Sequence, residues 1–214
     1  MMKFASREEA GQLLGRHLKG EGVEVDLVLG LPRGGVIVAA EVAREMARPL
    51  DVLIVRKIGH PWHREFAVGA LAEPDIFVLD ETVVGRNPLL RYELKGIIKE
   101  ETERLRGYRA RFHRDGLPQV KGLGVLLVDD GLATGATTDA AARSLRKQEA
   151  RAIVVAAPVA SVSAVERLAK VADRVHALWI DPDFDAVGRY YQSFSQTTDD
   201  EVIALLGANP NRAT

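Results

Sequence analysis

Six short apolar runs, separated by stretches of helical pattern, constrain the fold of this chain most strongly. Most of the runs are continuous rather than alternating, as in strands that are buried on both faces of a parallel sheet. Helical stretches at 35–46, 136–147 and 162–170 lie between several of them. Strands that alternate with helices predict a doubly wound α/β fold, with a mostly parallel sheet and helices on both faces. The runs span residues 25–30, 50–55, 76–79, 124–128, 152–157 and 175–180.

The remaining segments predict elaborations of one domain, which we assign to residues 1–214. Ser6 and Glu9 form a capping-box pattern that opens a helix ending near residue 18. Asn87-Pro88 opens a long charged helix, so residues 87–114 are interpreted as a helical insertion. Residues 181–198 have no strong period and precede a last short helix at 199–206.

The composition excludes several classes of function. The formal net charge is -1, which does not favour nucleic acids or anionic membranes as partners. The chain has no cysteine, so disulfides, thiolate metal sites and cysteine nucleophiles are excluded. No run approaches the roughly 20 apolar residues of a membrane span, and the N-terminal stretch lacks the apolar core of a signal peptide. We therefore expect a soluble cytoplasmic protein.

The segment 124–141, GVLLVDDGLATGATTDAA, carries the most chemical information. A buried strand leads into two carboxylates, a turn rich in glycine and threonine, and then a helix. Backbone N–H groups at a helix N-terminus lack intrahelical partners and suit a phosphate. Asp129 and Asp130 can accept hydrogen bonds from vicinal hydroxyls or hold a divalent cation. Together these features describe a receptor for a ribose 5-phosphate.

This segment resembles the binding motif for 5-phosphoribosyl 1-pyrophosphate (PRPP) of the type I phosphoribosyltransferases. The resemblance covers roughly residues 24–72 and 120–190 and implies the fold of that family. It also implies that the acids hold the ribose hydroxyls, that the following loop holds the 5′-phosphate, and that Mg²⁺ accompanies PRPP, with Asp129 and Asp130 as metal ligands through water. The PRPP-binding residues would be Asp129, Asp130, Ala133, Thr134, Gly135, Ala136, Thr137 and Thr138.

Two earlier loops are expected at the same sheet edge, because ligands of open α/β sheets bind beyond the carboxyl ends of the strands. Arg33-Gly34-Gly35 resembles the pyrophosphate loop of the family. Arg56-Lys57 follows the next apolar run and resembles the basic pair of adenine phosphoribosyltransferases. The resemblance implies that these five residues bind pyrophosphate, and that Arg33, Arg56 and Lys57 act in catalysis by stabilising the departing charge. A capping turn with an exposed arginine is the alternative interpretation of the first loop.

Two further segments are assigned by position in the family order. Residues 57–70 are polar and irregular and lie where the family has a mobile loop. His60 and His63 are interpreted as loop histidines rather than zinc ligands. Residues 181–198 loosely resemble the hood that faces the purine in hypoxanthine–guanine enzymes, and we call them the hood-like segment. Phe184, Tyr190 and Tyr191 are candidates to stack on an acceptor base, with packing in the core as the alternative.

Several functions stay open at this stage. The resemblance implies transfer of phosphoribosyl from PRPP to a nitrogen nucleophile, such as a nucleobase, with release of pyrophosphate. A PRPP- or nucleotide-sensing regulator on the same fold and a related hydrolase are the alternatives. A response-regulator receiver also ends its first strand in an acidic pair, but that pair lies near the start of its domain. Ala133 stands where hypoxanthine–guanine enzymes have an aspartate, which argues against that acceptor class. A homodimer, as in many family members, could use the 87–114 helix.

Overall fold

A five-stranded parallel sheet, in the order β2-β1-β6-β7-β8, forms the centre of the protein. The structure is a computed structural model and describes residues 3–85, 87–113 and 116–208. A second, antiparallel sheet has the order β3-β4-β5. The strands are β1 (Leu27–Gly30), β2 (Leu50–Val52), β3 (Val55–His60), β4 (His63–Ala72), β5 (Ile76–Leu79), β6 (Gly124–Val128), β7 (Ala152–Ser161) and β8 (Arg174–Asp181).

Of the described helices, the first precedes the first strand, the last follows the last strand, and the others lie between strands in the chain. A 3-10 turn, Val187–Tyr190, lies in the hood-like segment. The helices are α1 (Arg7–Gly20), α2 (Gly34–Met46), α3 (Glu81–Val84), α4 (Pro88–Phe112), α5 (Ala136–Lys147), α6 (Val162–Leu168) and α7 (Asp199–Gly207).

Alternate residues of the central strands enter two separate cores. Val28 and Leu126 pack with side chains of α1, α2, α4 and α7. Leu27 and Leu127 face the opposite side and pack with α5 and α6. Because successive side chains of a strand point to opposite faces, continuous apolar runs are needed to supply both cores. This arrangement confirms the predicted doubly wound α/β fold with helices on both faces of a parallel sheet.

The antiparallel sheet departs from the prediction. The run at 76–79 is not a strand of the parallel sheet; it forms β5, which pairs with β4 from Gly69↔Leu79 to Ala72↔Ile76. A four-residue apolar run carries no information on its partner, so the sequence could not separate the two sheets. Residues 57–70 form most of the β3–β4 hairpin instead of an irregular loop. Backbone pairing tolerates their polar side chains, because one face of an antiparallel sheet can be exposed to solvent. The mobility of this hairpin stays a prediction.

The base of the antiparallel sheet is joined to the parallel sheet by a buried ionic cluster. Nε2 of His113 lies 3.0 Å from Oε2 of Glu73, and its Nδ1 lies 3.6 Å from Oδ1 of Asp51. Glu73, between β4 and β5, also accepts a hydrogen bond of 2.9 Å from the Ile54 N–H. Nε of Arg109 lies 3.7 Å from Oε1 of the same carboxylate. Buried charges are tolerated only where they are paired, so the cluster fixes β2, the base of the hairpin and the end of α4 together.

Helix α4 forms where the sequence predicts a long charged helix, whereas its status as an insertion stays a prediction. The Asn87 side chain accepts hydrogen bonds from the N–H groups of Leu89 and Leu90, and Pro88 is the first helical residue. The helix ends at Phe112, and residue 114 lies outside the described residues. Its surface is highly charged, and neither α4 nor any other described helix is apolar over a length that could cross a membrane. The homodimer stays a prediction.

Candidate functional site

The carboxyl edge of the parallel sheet brings the acidic pair against the N-terminus of α2. Asp129 and Asp130 directly follow β6, and Gly34 and Gly35 are the first residues of α2. A Cβ atom added at Gly34 would collide with Oδ2 of Asp130. A Cβ added at Gly35 would lie 2.9 Å from Oδ1 of Asp129. Only glycine therefore allows this approach, and the two loops predicted to bind PRPP meet at one edge of the sheet.

Arg7, in the first turn of α1, lies against the same acids. Its Nε donates a hydrogen bond of 2.7 Å to Oδ2 of Asp130. Its Nη1 donates a second hydrogen bond of 2.8 Å to the Ser195 carbonyl in the hood-like segment. Only 9% of the Arg7 side chain is exposed. One buried guanidinium therefore contacts both the acidic pair and the hood-like segment.

The loop after the acids is held by the extended end of β7. Leu132 forms an isolated bridge with Ala160, and its N–H donates to the Val159 carbonyl at 2.9 Å. The Ser161 hydroxyl donates a hydrogen bond of 2.6 Å to the Ala133 carbonyl. These bonds fix the path of the loop up to Ala133, and beyond it the Thr134 hydroxyl oxygen accepts a hydrogen bond of 3.4 Å from the Ala136 N–H at the start of α5.

The N-terminus of α5 offers backbone donors at the surface. Gly135 is the N-cap residue with φ of 68°, a left-handed conformation that glycine adopts without strain, and it makes no side-chain capping bond. Its neighbours Thr134 and Thr137 are exposed, whereas Thr138 is buried. The first N–H groups of the helix and its positive end suit a phosphate. Two of the three predicted hydroxyl donors are thus exposed, and the side chain of Thr138 is not.

Arg33 lies at the start of α2 but is turned toward α7. Its Nη1 is 3.6 Å from Oδ1 of Asp199, and the other oxygen of that carboxylate pairs with Arg111. The three side chains line a cleft of about 550 Å³ together with Gln196, Thr197, Thr198, Asp200 and Ile203. Arg33 therefore pairs with α7 rather than with the acidic edge in this structure, and about a third of its side chain is exposed.

Arg56 and Lys57 do not converge on one point. They are adjacent residues of β3, so their side chains leave opposite faces of the strand. Nε of Arg56 donates a hydrogen bond of 2.9 Å to Oε2 of Glu101 on α4, and its guanidinium lies 5.6 Å from the centre of the Tyr108 ring. Lys57 is exposed. In this structure Arg56 belongs to the contact between the small sheet and α4.

The contacts of Tyr190 favour the alternative interpretation, packing in the core, over stacking on an acceptor. Its side chain is 1% exposed, its ring stacks on Phe184 at 5.2 Å, and its hydroxyl donates to Oδ2 of Asp181 at 2.7 Å. Trp179 packs against the ring edge-on at 5.5 Å. With these contacts Tyr190 belongs to the core, and of the three candidate stacking residues only Phe184 is partly exposed. Tyr191 is also buried and donates from its hydroxyl to the Asp130 carbonyl at 2.6 Å.

The donor set fits a magnesium ion that arrives with a substrate. Among the described residues there is no group of three acidic or histidine side chains that could hold a metal alone. Asp129 and Asp130 supply two carboxylates at most, and Mg²⁺ characteristically combines one or two carboxylates with water and substrate phosphates. His60 and His63 lie in an aromatic cluster with Trp62 and Phe66 on the hairpin, with 5.7 Å between the two imidazole centres.

Burial controls the protonation of the acidic pair. Burial, and next the neighbouring Asp130 carboxylate, raises the pKa of Asp129 well above its ordinary value of 3.8. Burial also raises the pKa of Asp130, although the hydrogen bond and charge of Arg7 oppose that rise. An acid whose pKa is higher in the folded than in the unfolded protein lowers the folding stability as pH rises. The ionised pair is therefore a cost to the fold that a ligand could offset.

We predict that Asp129→Asn stabilises the ligand-free protein at neutral pH. The amide keeps an oxygen that can accept the 2.9 Å hydrogen bond from the Asp130 N–H but carries no buried charge. The gain in folding stability over the wild type should vanish near pH 3.8, appear as pH rises above that value and be complete above the raised pKa of Asp129. Urea unfolding in the presence of a chelator at several pH values measures it. A variant that is less stable than the wild type at neutral pH would contradict the prediction.

Sequence reasoning missed four residues that organise this region: Arg7, Glu101, Ser161 and Asp199. Arg7 carries the clearest sequence indication, because a cation in the first turn of a helix opposes the helix dipole and therefore suggests an acidic partner elsewhere. The partners of Glu101 and Asp199 are brought together only by the packing of α4 and α7, which no local pattern specifies.

Comparisons with known proteins agree on one family. The family model described as "Phosphoribosyl transferase domain" matches residues 5–188. A Mycobacterium tuberculosis protein, whose name assigns it provisionally to the phosphoribosyl transferases, is 41% identical over 208 residues. That alignment covers 96% of this chain and 47% of the relative, so the chain spans about half the length of the curated relatives it matches. A crystal structure of a Thermus thermophilus protein is 44% identical, with a TM-score of 0.84, and covers 96% of this chain and 98% of that one.

Proposed function

The chain belongs to the phosphoribosyl transferase domain family, and from this premise we propose that it transfers the phosphoribosyl group of PRPP to a nitrogen nucleophile, with a nucleobase as the expected acceptor. One observation carries the proposal. The acidic pair lies against the N-terminus of α2 at the carboxyl edge of the sheet, and the loop that follows the pair leads into the N-terminus of α5. Acceptors for a diol between two sets of anion donors match a ribose with phosphoryl groups at both ends.

In the proposed complex, each part of the edge has one task. Asp129 and Asp130 accept hydrogen bonds from the 2′ and 3′ hydroxyls, and the loop from Ala133 to Thr138 receives the 5′-phosphate on backbone N–H groups and the exposed threonine hydroxyls. Gly34 and Gly35 present the N–H groups of α2 to the pyrophosphate. Mg²⁺, bound with PRPP, would supply positive charge to the departing pyrophosphate.

The reaction itself needs no covalent bond to the protein. The nitrogen nucleophile forms a bond to C1 of the ribose while the bond from C1 to the pyrophosphate oxygen breaks, the electron pair leaves with pyrophosphate, and the proton of the nitrogen is released with the products. The protein holds the sugar in position, excludes water and stabilises the separating charges. Arg33 is the cation best placed to assist, because it directly precedes Gly34 and would have to leave only a 3.6 Å contact with Asp199. Arg56 would first have to leave Glu101, and Lys57 would act from the other face of β3.

A pyrophosphate-release assay tests the proposal. PRPP and Mg²⁺ are incubated with the protein and with a panel of purines, pyrimidines and small amines, and the Asp129→Asn/Asp130→Asn variant serves as the control for release at this site. Release that requires one acceptor and is lost in the variant supports transfer and identifies the acceptor. Tight PRPP binding without release for any acceptor would favour the sensing alternative, and release with no acceptor would favour a hydrolase.

A further inference from the structure

We propose that Arg7 is a positioning residue for the ribose diol, which holds the Asp130 carboxylate in place and links it to the hood-like segment. This inference rests on the proposed function, because it assumes that Asp130 accepts a hydrogen bond from a sugar hydroxyl. It assigns a role in ligand recognition to a residue of α1, far in sequence from either loop of the site.

The Arg7 guanidinium makes three contacts. Nε donates to Oδ2 of Asp130 at 2.7 Å, and Nη1 donates to the Ser195 carbonyl at 2.8 Å. The planar group also stacks on the Phe194 ring, with 3.8 Å between the guanidinium carbon and the ring centre. Only a fork-shaped, flat cation can satisfy all three contacts at once, so lysine would keep the charge but not the full geometry.

Among the described neighbours of Asp130, only Arg7 orients its carboxylate. The neighbouring Asp129 carboxylate accepts from the Asp130 backbone N–H at 2.9 Å, and position 34 has no side chain to confine the Asp130 carboxylate. Tyr191 contacts only the backbone carbonyl of Asp130. Among the described contacts, the hydrogen bond from Arg7 is therefore what fixes the Asp130 carboxylate against the start of α2.

The same guanidinium also links the acidic pair to the hood-like segment. Residues 4 and 5 are hydrogen-bonded to the hood-like segment through the backbone. The Phe4 N–H donates to the Tyr190 carbonyl (2.9 Å), the Gln192 N–H to the Phe4 carbonyl (2.8 Å) and the Ser193 N–H to the Ala5 carbonyl (3.1 Å). Arg7 continues this contact to Ser195. Any shift of the hood-like segment, which is predicted to lie over the acceptor, is therefore passed through Arg7 to the acid that holds the ribose.

Calorimetric titrations with three probes separate this role from a general loss of structure. The probes are ribose 5-phosphate, 2-deoxyribose 5-phosphate and inorganic pyrophosphate. Removing a charged hydrogen-bond partner typically changes affinity by about tenfold or more. We expect Arg7→Met to bind ribose 5-phosphate about tenfold more weakly, to lose the preference for ribose over deoxyribose, and to keep its pyrophosphate affinity. Arg7→Lys, which keeps the charge but not the full geometry, should restore part of the preference for ribose.

Arg16→Gln is the matched control, because Arg16 lies on the same helix with an exposed side chain 3.5 Å from Glu45. It should leave all three affinities unchanged. A wild type that binds neither sugar phosphate would refute the proposed function itself. A wild type that prefers ribose, together with an Arg7→Met variant that keeps this preference, would refute the role of Arg7 alone.

A double-mutant cycle with Asp130→Asn completes the test. If Arg7 acts through Asp130, the Arg7→Met/Asp130→Asn variant should bind ribose 5-phosphate no more weakly than Asp130→Asn. Fully additive losses would overturn the inference. So would equal weakening of all three probes without rescue by lysine, since that pattern indicates a purely structural arginine.

Discussion

We expect Asp129→Asn/Asp130→Asn to bind PRPP at least about 100-fold more weakly than the wild type while it keeps its fold. Each carboxylate is proposed to accept a hydrogen bond from a ribose hydroxyl, and a hydrogen bond to a charged group contributes about 1.5–3 kcal/mol. The amides have nearly the same shape and can still accept from the Asp130 N–H and from Arg7 Nε, which are the contacts present without ligand. Titration calorimetry with PRPP and Mg²⁺ measures the loss, and circular dichroism checks the fold.

Two exposed glutamates of α4, Glu93 and Glu103, provide the control for net charge. Glu93→Gln/Glu103→Gln removes the same two negative charges far from the acidic pair in the chain and should leave PRPP affinity unchanged. If the two double variants bind PRPP equally well, the acidic pair has no part in holding the ribose. If both bind weakly, a general electrostatic effect explains the loss.

The second large effect is expected from Gly34→Ala. The added Cβ would collide with Oδ2 of Asp130 and lie 2.8 Å from Nε of Arg7, so the acid must turn away from its present position. We expect PRPP affinity to fall about tenfold or more, because one hydrogen bond from a charged group is lost or misdirected. Overpacking of this kind also lowers the free energy of unfolding by about 1–3 kcal/mol. Chemical denaturation and calorimetry measure the two effects.

Gly96→Ala is the matched control on a helix where space is open. Gly96 is exposed within α4, and no atom lies within 4 Å of an added Cβ. Alanine should stabilise that position by about 0.5–1 kcal/mol through its better helix propensity, with no change in PRPP binding. Both variants add one methyl group in place of a glycine hydrogen. A stabilised Gly34→Ala variant with normal PRPP affinity would therefore show that PRPP binding by the acids does not require the close approach of α2.

The parts of the fold that the sequence predicts are those set by local pattern. Buried parallel strands require continuous apolar runs, and the runs that became β1, β6, β7 and β8 are each buried or partly buried by helices on both faces. The run that became β5 has the same composition but a different partner, which local pattern does not encode. Likewise, the polar residues of β3 and β4 form strands because they pair with each other, not because their composition favours a strand.

In the candidate site, too, the sequence predicts the residues that regular elements position but not the orientation of the long side chains. Asp129, Asp130, Gly34 and Gly35 follow or begin regular elements, so the general rule for ligand sites in open sheets places them together. The orientation of long side chains depends on partners distant in sequence. Arg33 is directed by Asp199 and Arg56 by Glu101, and Tyr190 is buried by Phe184 and Trp179. Sequence adjacency of Arg56 and Lys57 suggested joint action, but adjacency within a strand separates two side chains.

The ionic cluster of Glu73, His113 and Asp51 limits how the β3–β4 hairpin can move. One end of the hairpin is anchored by this cluster, while its turn at 61–62 lies at the other end of a ten-residue strand, roughly 30 Å away. A sheet clamped at one end bends most at its free tip, so the predicted mobility should be largest at Trp62, in the turn. Sideways translation of the whole hairpin would require breaking buried charge pairs. We therefore expect the predicted motion of the hairpin to pivot at the cluster.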